Sequence, residues 1–209
     1  MIPAAIRQSP FLTQGGGFRV YSGLPDAASC AALLGEALAV YPKADHQQCE
    51  DDDGADGRGG RPRRRLLTAQ AGDVQDDLYR STWLPAQLSD QFGLPIVPSG
   101  NRGSYSYYVR AGDFLDLHLD VEACDVAMIT SLYDNTPPTD PRGALVLYPS
   151  RIGEPLSSVR ARPRVGAHFV KLRPGETIVM FGGIVPHRVL PVADGQHRII
   201  SVLCYQAVV

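Results

Sequence analysis

Apolar positions recur at helical spacing in the first half of the chain and give way to short β-type runs in the second. In "LPDAASCAALLGEALAVYP", Pro25 stands where a helix opens, and Ala27, Ala31, Leu34, Leu38 and Tyr41 share one face. Pro42 closes the helix. A second helical pattern runs roughly from Val74 to Phe92, with a break expected near Pro85. Trp83 is expected to pack where the helices meet the sheet. Between the two helical regions, "KADHQQCEDDDGADGRGGRPRRR" (43–65) is acidic, then basic, Gly-rich and without an apolar period. Such composition predicts a mobile, solvated loop.

From Ser104 onward the strand-like runs are "SYSYYVR", "DVAMITSLYD", "GALVLYPS", "HFVKL", "TIVMF", "HRVLPV" and "RIISVLCYQAVV", punctuated by Gly and Pro turns. This pattern predicts a mainly β fold with N-terminal helices: a double-stranded β-helix, or jelly roll, with the helices packed on one sheet. A length of 209 residues suits a single domain over 1–209, with 1–100 as helical support and 101–209 as the jelly-roll core. There is no internal repeat.

A formal net charge of −2 gives no reason to expect nucleic acid or an anionic membrane as partner. The opening "MIPAAIRQSPFLTQGGG" has neither a basic n-region nor a long apolar segment, so no signal peptide is expected, and no run is long enough to span a bilayer. A cytoplasmic location follows as the expectation. Cys30, Cys49, Cys124 and Cys204 are scattered without a CxxC pair, which predicts free thiols in a reducing compartment.

Five histidines leave few candidates for chemistry. His46 lies in the charged loop and His168 begins a strand, and both are expected to be surface or structural residues. In "GDFLDLHLD", His118 and Asp120 are two apart, so in extended chain they face the same way. His187, after the Gly-Gly of "GGIVPHRVLPV", offers a third ligand. Two histidines and one carboxylate with open positions form the facial triad of non-haem iron(II) oxygenases. Arg198, eleven residues after His187 on the next strand, requires an anionic partner if it enters the interior. A dicarboxylate matches its planar fork. Arg110, Asp113 and Asp116 are expected at the surface, with Asp116 a possible acceptor for a ligand histidine.

Together these motifs resemble the Fe(II)/2-oxoglutarate-dependent dioxygenases, and within them the prolyl-4-hydroxylase-like branch, over about Gly103 to Tyr205. "YYVRAGDFLDLHLD" is similar to that branch's Tyr-then-Gly lead into His-x-Asp. "SLYDNTPPTDPRGALVLYPS" is similar to its strand, variable loop and GG-x-L strand, and "VKLRPGETIVMFGGIVPHRVLPVADGQHRIIS" to its Pro-Gly turn, distal histidine and basic residue. The resemblance implies that His118, Asp120 and His187 bind Fe(II) and act with O2. It implies that Arg198 pairs with the distal carboxylate of 2-oxoglutarate, assisted by Tyr107 or Tyr108 and by Ser201. The implied reaction is hydroxylation of an aliphatic C–H with release of succinate and CO2. The substrate would be a small molecule, first an amino acid or natural-product intermediate, with a prolyl peptide or protein as alternative.

The chain departs from the family pattern at two places. The usual spacing from the distal histidine to the basic residue falls on His197, one short of Arg198, which is accommodated by an extra residue in the "VADGQH" turn. Ser201 then lies three residues after Arg198, on the opposite face unless a bulge intervenes. Arg142 stands where the family commonly has a glycine. The rival classes are a cupin-type metal protein and a metal-free binding module on the same fold. Tight 2-oxoglutarate binding with Fe(II) separates both from the oxygenase.

Overall fold

Strands from both halves of the chain form one 12-stranded antiparallel sheet among the described residues, which in this computed structural model are 2–101 and 103–209. The N-terminal part contributes α1 (Ala4–Gln8), α2 (Pro10–Thr13), β1 (Phe18–Ser22), α3 (Ala27–Val40), β2 (Asp45–Cys49) and β3 (Arg64–Gln70). It continues through α4 (Asp73–Arg80), α5 (Trp83–Phe92) and β4 (Ile96–Pro98). The C-terminal part contributes β5 (Ser104–Tyr108), β6 (Phe114–His118), β7 (Val126–Asp134), β8 (Leu145–Leu147) and α6 (Leu156–Ala161). β9 (His168–Val170), β10 (Glu176–Met180), β11 (His187–Val189) and β12 (Arg198–Ala207) complete it.

The strand order is β1-β10-β7-β12-β5-β3-β6-β11-β8-β9, with β2 beside β3 and β4 beside β12. The sheet curls until its ends approach. The Phe18 ring on β1 packs 5.0 Å from the His168 ring on β9, although these strands terminate the order. The Asp120 amide, just past β6, donates to Gly182 O, just past β10, at 2.9 Å. Curling sets β6 and β11 opposite β7, β10 and β12, giving the jelly-roll form expected from the strand-like runs.

Every strand-like run from Ser104 onward forms a strand. The N-terminal half differs from its helical reading, because β1 to β4 join the same sheet. These strands are short or lie at an edge, so their half-exposed sequences lack a clean alternation. Segment 43–65 is likewise not a free loop. It begins as β2 and ends as the start of β3, paired from Asp45↔Thr68 to Cys49↔Arg64. The connecting residues are tied down at a distance: Arg58 Nη1 donates to Asp125 Oδ1 at 2.7 Å, and Asp56 Oδ1 accepts from Ser157 N at 2.7 Å. Local composition carries no trace of such long-range partners.

α3 is capped by Asp26, whose carboxylate accepts from Ser29 N at 2.7 Å. Its buried residues are Leu33 and Ala37, packed with Leu67, Tyr105, Tyr107, Leu132 and Ile199 on the sheet. The predicted face is rotated by one residue: Leu38 is 55% and Tyr41 40% exposed. Adjacent Leu33 and Leu34 fit either phase, and docking on the two tyrosines selects the first. The break between α4 and α5 falls at Ser81 and Thr82, not at Pro85. Pro85 sits in the first turn of α5, where no backbone donor is needed. Trp83 opens α5 toward solvent, 46% exposed, and is not a core residue. α6 lies on the outer side of the shorter strands, its Leu156 and Val159 packed against Leu117, Val146 and Tyr148.

Two further expectations are corrected. Cys124 and Cys204 form a disulfide, with Cα atoms 4.9 Å apart across 80 residues, while Cys30 and Cys49 are free. Pairing of β12 with β7, Cys204 opposite Ala127, brings the two together. The expectation of a reducing compartment thereby loses its basis in free thiols. Asp113 is fully buried, accepting from Val109 N and Arg110 N and facing Arg65 at 3.3 Å. No helix among the described residues is long and apolar enough to cross a membrane.

Candidate active site

His118 ends β6, and His187 begins β11 directly opposite it in the antiparallel pair. Asp120 follows β6 by two residues and is fastened through its amide to Gly182 O. One ligand atom from each of His118, Asp120 and His187 lies within 4.8 Å of the others. Both imidazoles are oriented by backbone: His118 Nδ1 meets Asp116 O at 2.9 Å and His187 Nδ1 meets Val185 O at 2.9 Å. A carbonyl oxygen only accepts, so each Nδ1 carries the hydrogen and each neutral ring keeps its lone pair on Nε2. Both Nε2 atoms stand 3.6 Å from the same Asp120 Oδ1. The Asp116 carboxylate, by contrast, is bound by Arg63 at 2.8 Å, so its carbonyl rather than its side chain serves His118.

The environment favours a cation at this point. Burial would raise the Asp120 carboxyl, but His187 and His118 outweigh it and hold it below the usual carboxylate range. Burial, with His187 alongside, lowers the pKa of His118 and keeps it neutral. Burial also acts to lower His187, yet the neighbouring Asp120 carboxylate raises it. The Gly-Gly sequence explains itself here, since a Cβ on Gly182 would strike the Asp120 carboxylate and one on Gly183 the Arg58 guanidinium. Arg58 Nε donates to Asp120 O at 3.0 Å, and Cys124 Sγ lies 3.7 Å from Asp120 Oδ2. Neither neighbour was signalled by the sequence.

Arg198 opens β12 opposite Tyr108 on β5 and Asp134 on β7, and is 3% exposed. Its guanidinium carbon lies 5.3 Å from the Tyr108 ring centre, and Nη1 is buried with no hydrogen-bond partner. Burial depresses its pKa, with Tyr108 and Asp134 opposing. Asp134 does not neutralise it fully, because Lys171 Nζ holds that carboxylate at 2.8 Å. Burial pushes the Tyr108 hydroxyl up to about 12, so it stays a donor at neutral pH.

The other sequence candidates fall elsewhere. Tyr107 faces the opposite side of β5, its hydroxyl donating to Ala37 O in α3 at 2.7 Å, with Tyr105 beside it on Glu36. Ser201 pairs with Tyr105 across β5 and shares its outer face, where it accepts from Gln75 Nε2 at 2.6 Å. The bulge needed to turn it inward is absent from β12. It lies in β7, where Leu132 is skipped between Ile199↔Tyr133 and Ile200↔Ser131. That bulge turns Ser131 to the side of Ile200 and Arg198, and its hydroxyl is buried without a partner. A serine inside the apolar run "AMITSL" was the only sequence sign of it. His197 is exposed, His46 contacts Arg110 at 2.9 Å, and Arg142 is bonded to Asp140 at the surface.

No protein-family model matches the chain, and no curated protein matches it in sequence. Solved structures do. A prolyl-4-hydroxylase from Pseudomonas putida is 18% identical with a TM-score of 0.60, covering 94% of this chain and 95% of that one. The α-ketoglutarate-dependent, non-haem epimerase SnoN from nogalamycin biosynthesis is 18% identical with a TM-score of 0.67, covering 98% and 84%. HygX from Streptomyces hygroscopicus, solved with nickel and 2-oxoglutarate bound, is 13% identical with a TM-score of 0.63, covering 98% and 87%. The strand order, the curled sheet and these likenesses agree that the chain has the fold of the 2-oxoglutarate/iron(II) oxygenases.

Proposed function

We propose that this protein is an Fe(II)- and 2-oxoglutarate-dependent dioxygenase that hydroxylates an aliphatic C–H of a small molecule. The observation that carries the reading is the pair of backbone-pinned imidazoles presenting two Nε2 lone pairs to one oxygen of Asp120. Two nitrogens and one carboxylate oxygen, without thiolate, suit a borderline divalent ion such as Fe(II). The unpartnered Nη1 of buried Arg198 and hydroxyl of Ser131 fit the distal carboxylate of 2-oxoglutarate, with Tyr108 beside them. Such a carboxylate satisfies donors that otherwise stay unpaired, and it favours the oxygenase over a cupin-type protein or a metal-free module.

Within this reading, His118, Asp120 and His187 hold the metal and Arg198 orients the cosubstrate. When bound, iron with 2-oxoglutarate couples O2 activation and loss of CO2 to oxidation of a nearby C–H, leaving succinate. Asp120 occupies a ligand position with a carboxylate, leaving no room for halide there, which favours hydroxylation. Burial of Tyr108, Arg198 and Ile200 keeps water from the cosubstrate end.

A cavity of about 830 Å3 has Leu119, Gly183 and Pro186, sequence neighbours of the triad, in its wall, though no side chain of the triad itself, and it is taken as the candidate substrate site. Ile6 of α1 and the charged Asp56, Arg58 and Glu122 also line it. That volume suits a molecule well above a single amino acid, so a natural-product intermediate is preferred. HygX with hygromycin B bound is one neighbour that holds such a molecule. The test is titration of 2-oxoglutarate into nickel-loaded protein, then a succinate-release screen with Fe(II) over pathway intermediates, amino acids and prolyl peptides. Saturable binding lost in Asp120→Ala is expected, and no binding by the metal-loaded wild type overturns the reading.

A further inference from the structure

A second cavity, of about 210 Å3, opens beside α6 on the outer side of the shorter strands. Three guanidinium groups from separate parts of the chain line it: Arg63 before β3, Arg160 on α6 and Arg188 on β11. Arg188 alternates with His187 and Val189, so it points out of the sheet, away from the triad. The single carboxylate in the wall, Asp116, is already engaged by Arg63 at 2.8 and 3.0 Å and by Leu117 N at 2.9 Å. Arg160 Nη2 reaches Asp52 at 2.9 Å and Leu117 O at 3.4 Å, but its Nε is buried without a partner. Arg188 has no ion-pair partner among the described residues; it sits beside the Tyr148 hydroxyl, and its Nε is buried and unpartnered.

Buried guanidinium donors without acceptors are costly, and like charges around one small cavity repel. A compact polyoxygenated anion relieves both, and the planar fork of arginine is matched to it. We propose that this cavity binds a phosphate-type oxyanion through Arg188, Arg160 and Arg63, at a site separate from the triad. It has room for a single phosphate-sized group, either free or as the phosphoryl end of a small molecule held in the open mouth.

The test is calorimetric titration of inorganic phosphate, and separately of glycerol phosphate, into the metal-free full chain at constant ionic strength. Wild type should bind at least one of them, and Arg188→Gln and Arg160→Gln should each weaken binding by about tenfold or more. Arg188→Lys, which keeps charge and most of the packing, should lose less. Arg198→Gln should bind as wild type, because that arginine faces the interior. Tighter binding of glycerol phosphate identifies a phosphorylated small molecule, and tighter binding of phosphate identifies the free anion. The proposal is overturned if neither probe binds wild type, if folded Arg188→Gln and Arg188→Lys bind as wild type does, or if Arg198→Gln is the variant that loses binding. None of these results depends on the metal or on the proposed oxidation.

Discussion

Replacing Arg198 by methionine should move two measurable quantities in opposite directions. The guanidinium is 3% exposed, its Nη1 has no protein acceptor, and the carboxylate of Asp134, its register partner on β7, is held by Lys171 at 2.8 Å. Replacing a buried ion pair by apolar side chains of similar volume is often neutral or stabilising by about 1–4 kcal/mol, and a buried guanidinium held by no close carboxylate is expected to gain on the same scale. The Tyr108 ring, 5.3 Å away, offsets roughly 1 kcal/mol of that through a cation–π contact. A net gain of up to about 3 kcal/mol should raise the melting temperature by up to roughly 12 °C. Cosubstrate binding should suffer instead. Two charge-assisted hydrogen bonds at about 1.5–3 kcal/mol each predict a loss of roughly two to four orders of magnitude in 2-oxoglutarate affinity. Thermal unfolding without ligand, and calorimetric titration of 2-oxoglutarate into the nickel-loaded form, read the two effects separately. A variant that melts below wild type and binds 2-oxoglutarate within a few-fold of it would refute both the unpaired-charge reasoning and the assigned role.

The two serines separate in the same assays. Ser131→Ala should weaken 2-oxoglutarate binding several-fold without loss of stability, since its hydroxyl has no protein partner. Ser201→Ala should leave binding unchanged but cost about 1–2 kcal/mol in denaturant unfolding, because Gln75 loses a buried acceptor; the reverse pattern would reassign them. Replacing Cys124 and Cys204 together by alanine opens an 80-residue loop and should cost about 4 kcal/mol in the same unfolding experiment, whereas equal stability would mean the wild-type thiols are unpaired in solution. Burial would raise the Asp134 carboxyl, but Lys171 and Thr136 hold it below the ordinary value. Its stabilisation is therefore present at neutral pH and is lost as pH falls below about 4. Asp134→Asn should show a smaller loss of stability between neutral pH and about pH 3 than wild type; parallel curves would disprove the pair's contribution.

What the sequence by itself determined is what depends on short-range geometry. Alternation places His118 and Asp120 on one face whatever the strand pairs with, and the β-rich runs from Ser104 onward become strands because their apolar residues have to be covered. Arg198 could be singled out because a charge in so apolar a run requires a partner. What only tertiary structure decided depends on pairing between distant segments. The β7 bulge selects Ser131 over Ser201 for the interior, and β5 register puts Tyr108 inside and Tyr107 under α3. The acidic-basic segment after β2 is ordered by partners some sixty to a hundred residues away, Asp120, Asp125 and Ser157. Cys124 and Cys204 meet because β12 lies against β7. None of these choices leaves a local pattern, because each is fixed by the energy of packing one sheet face against another rather than by the residues flanking it.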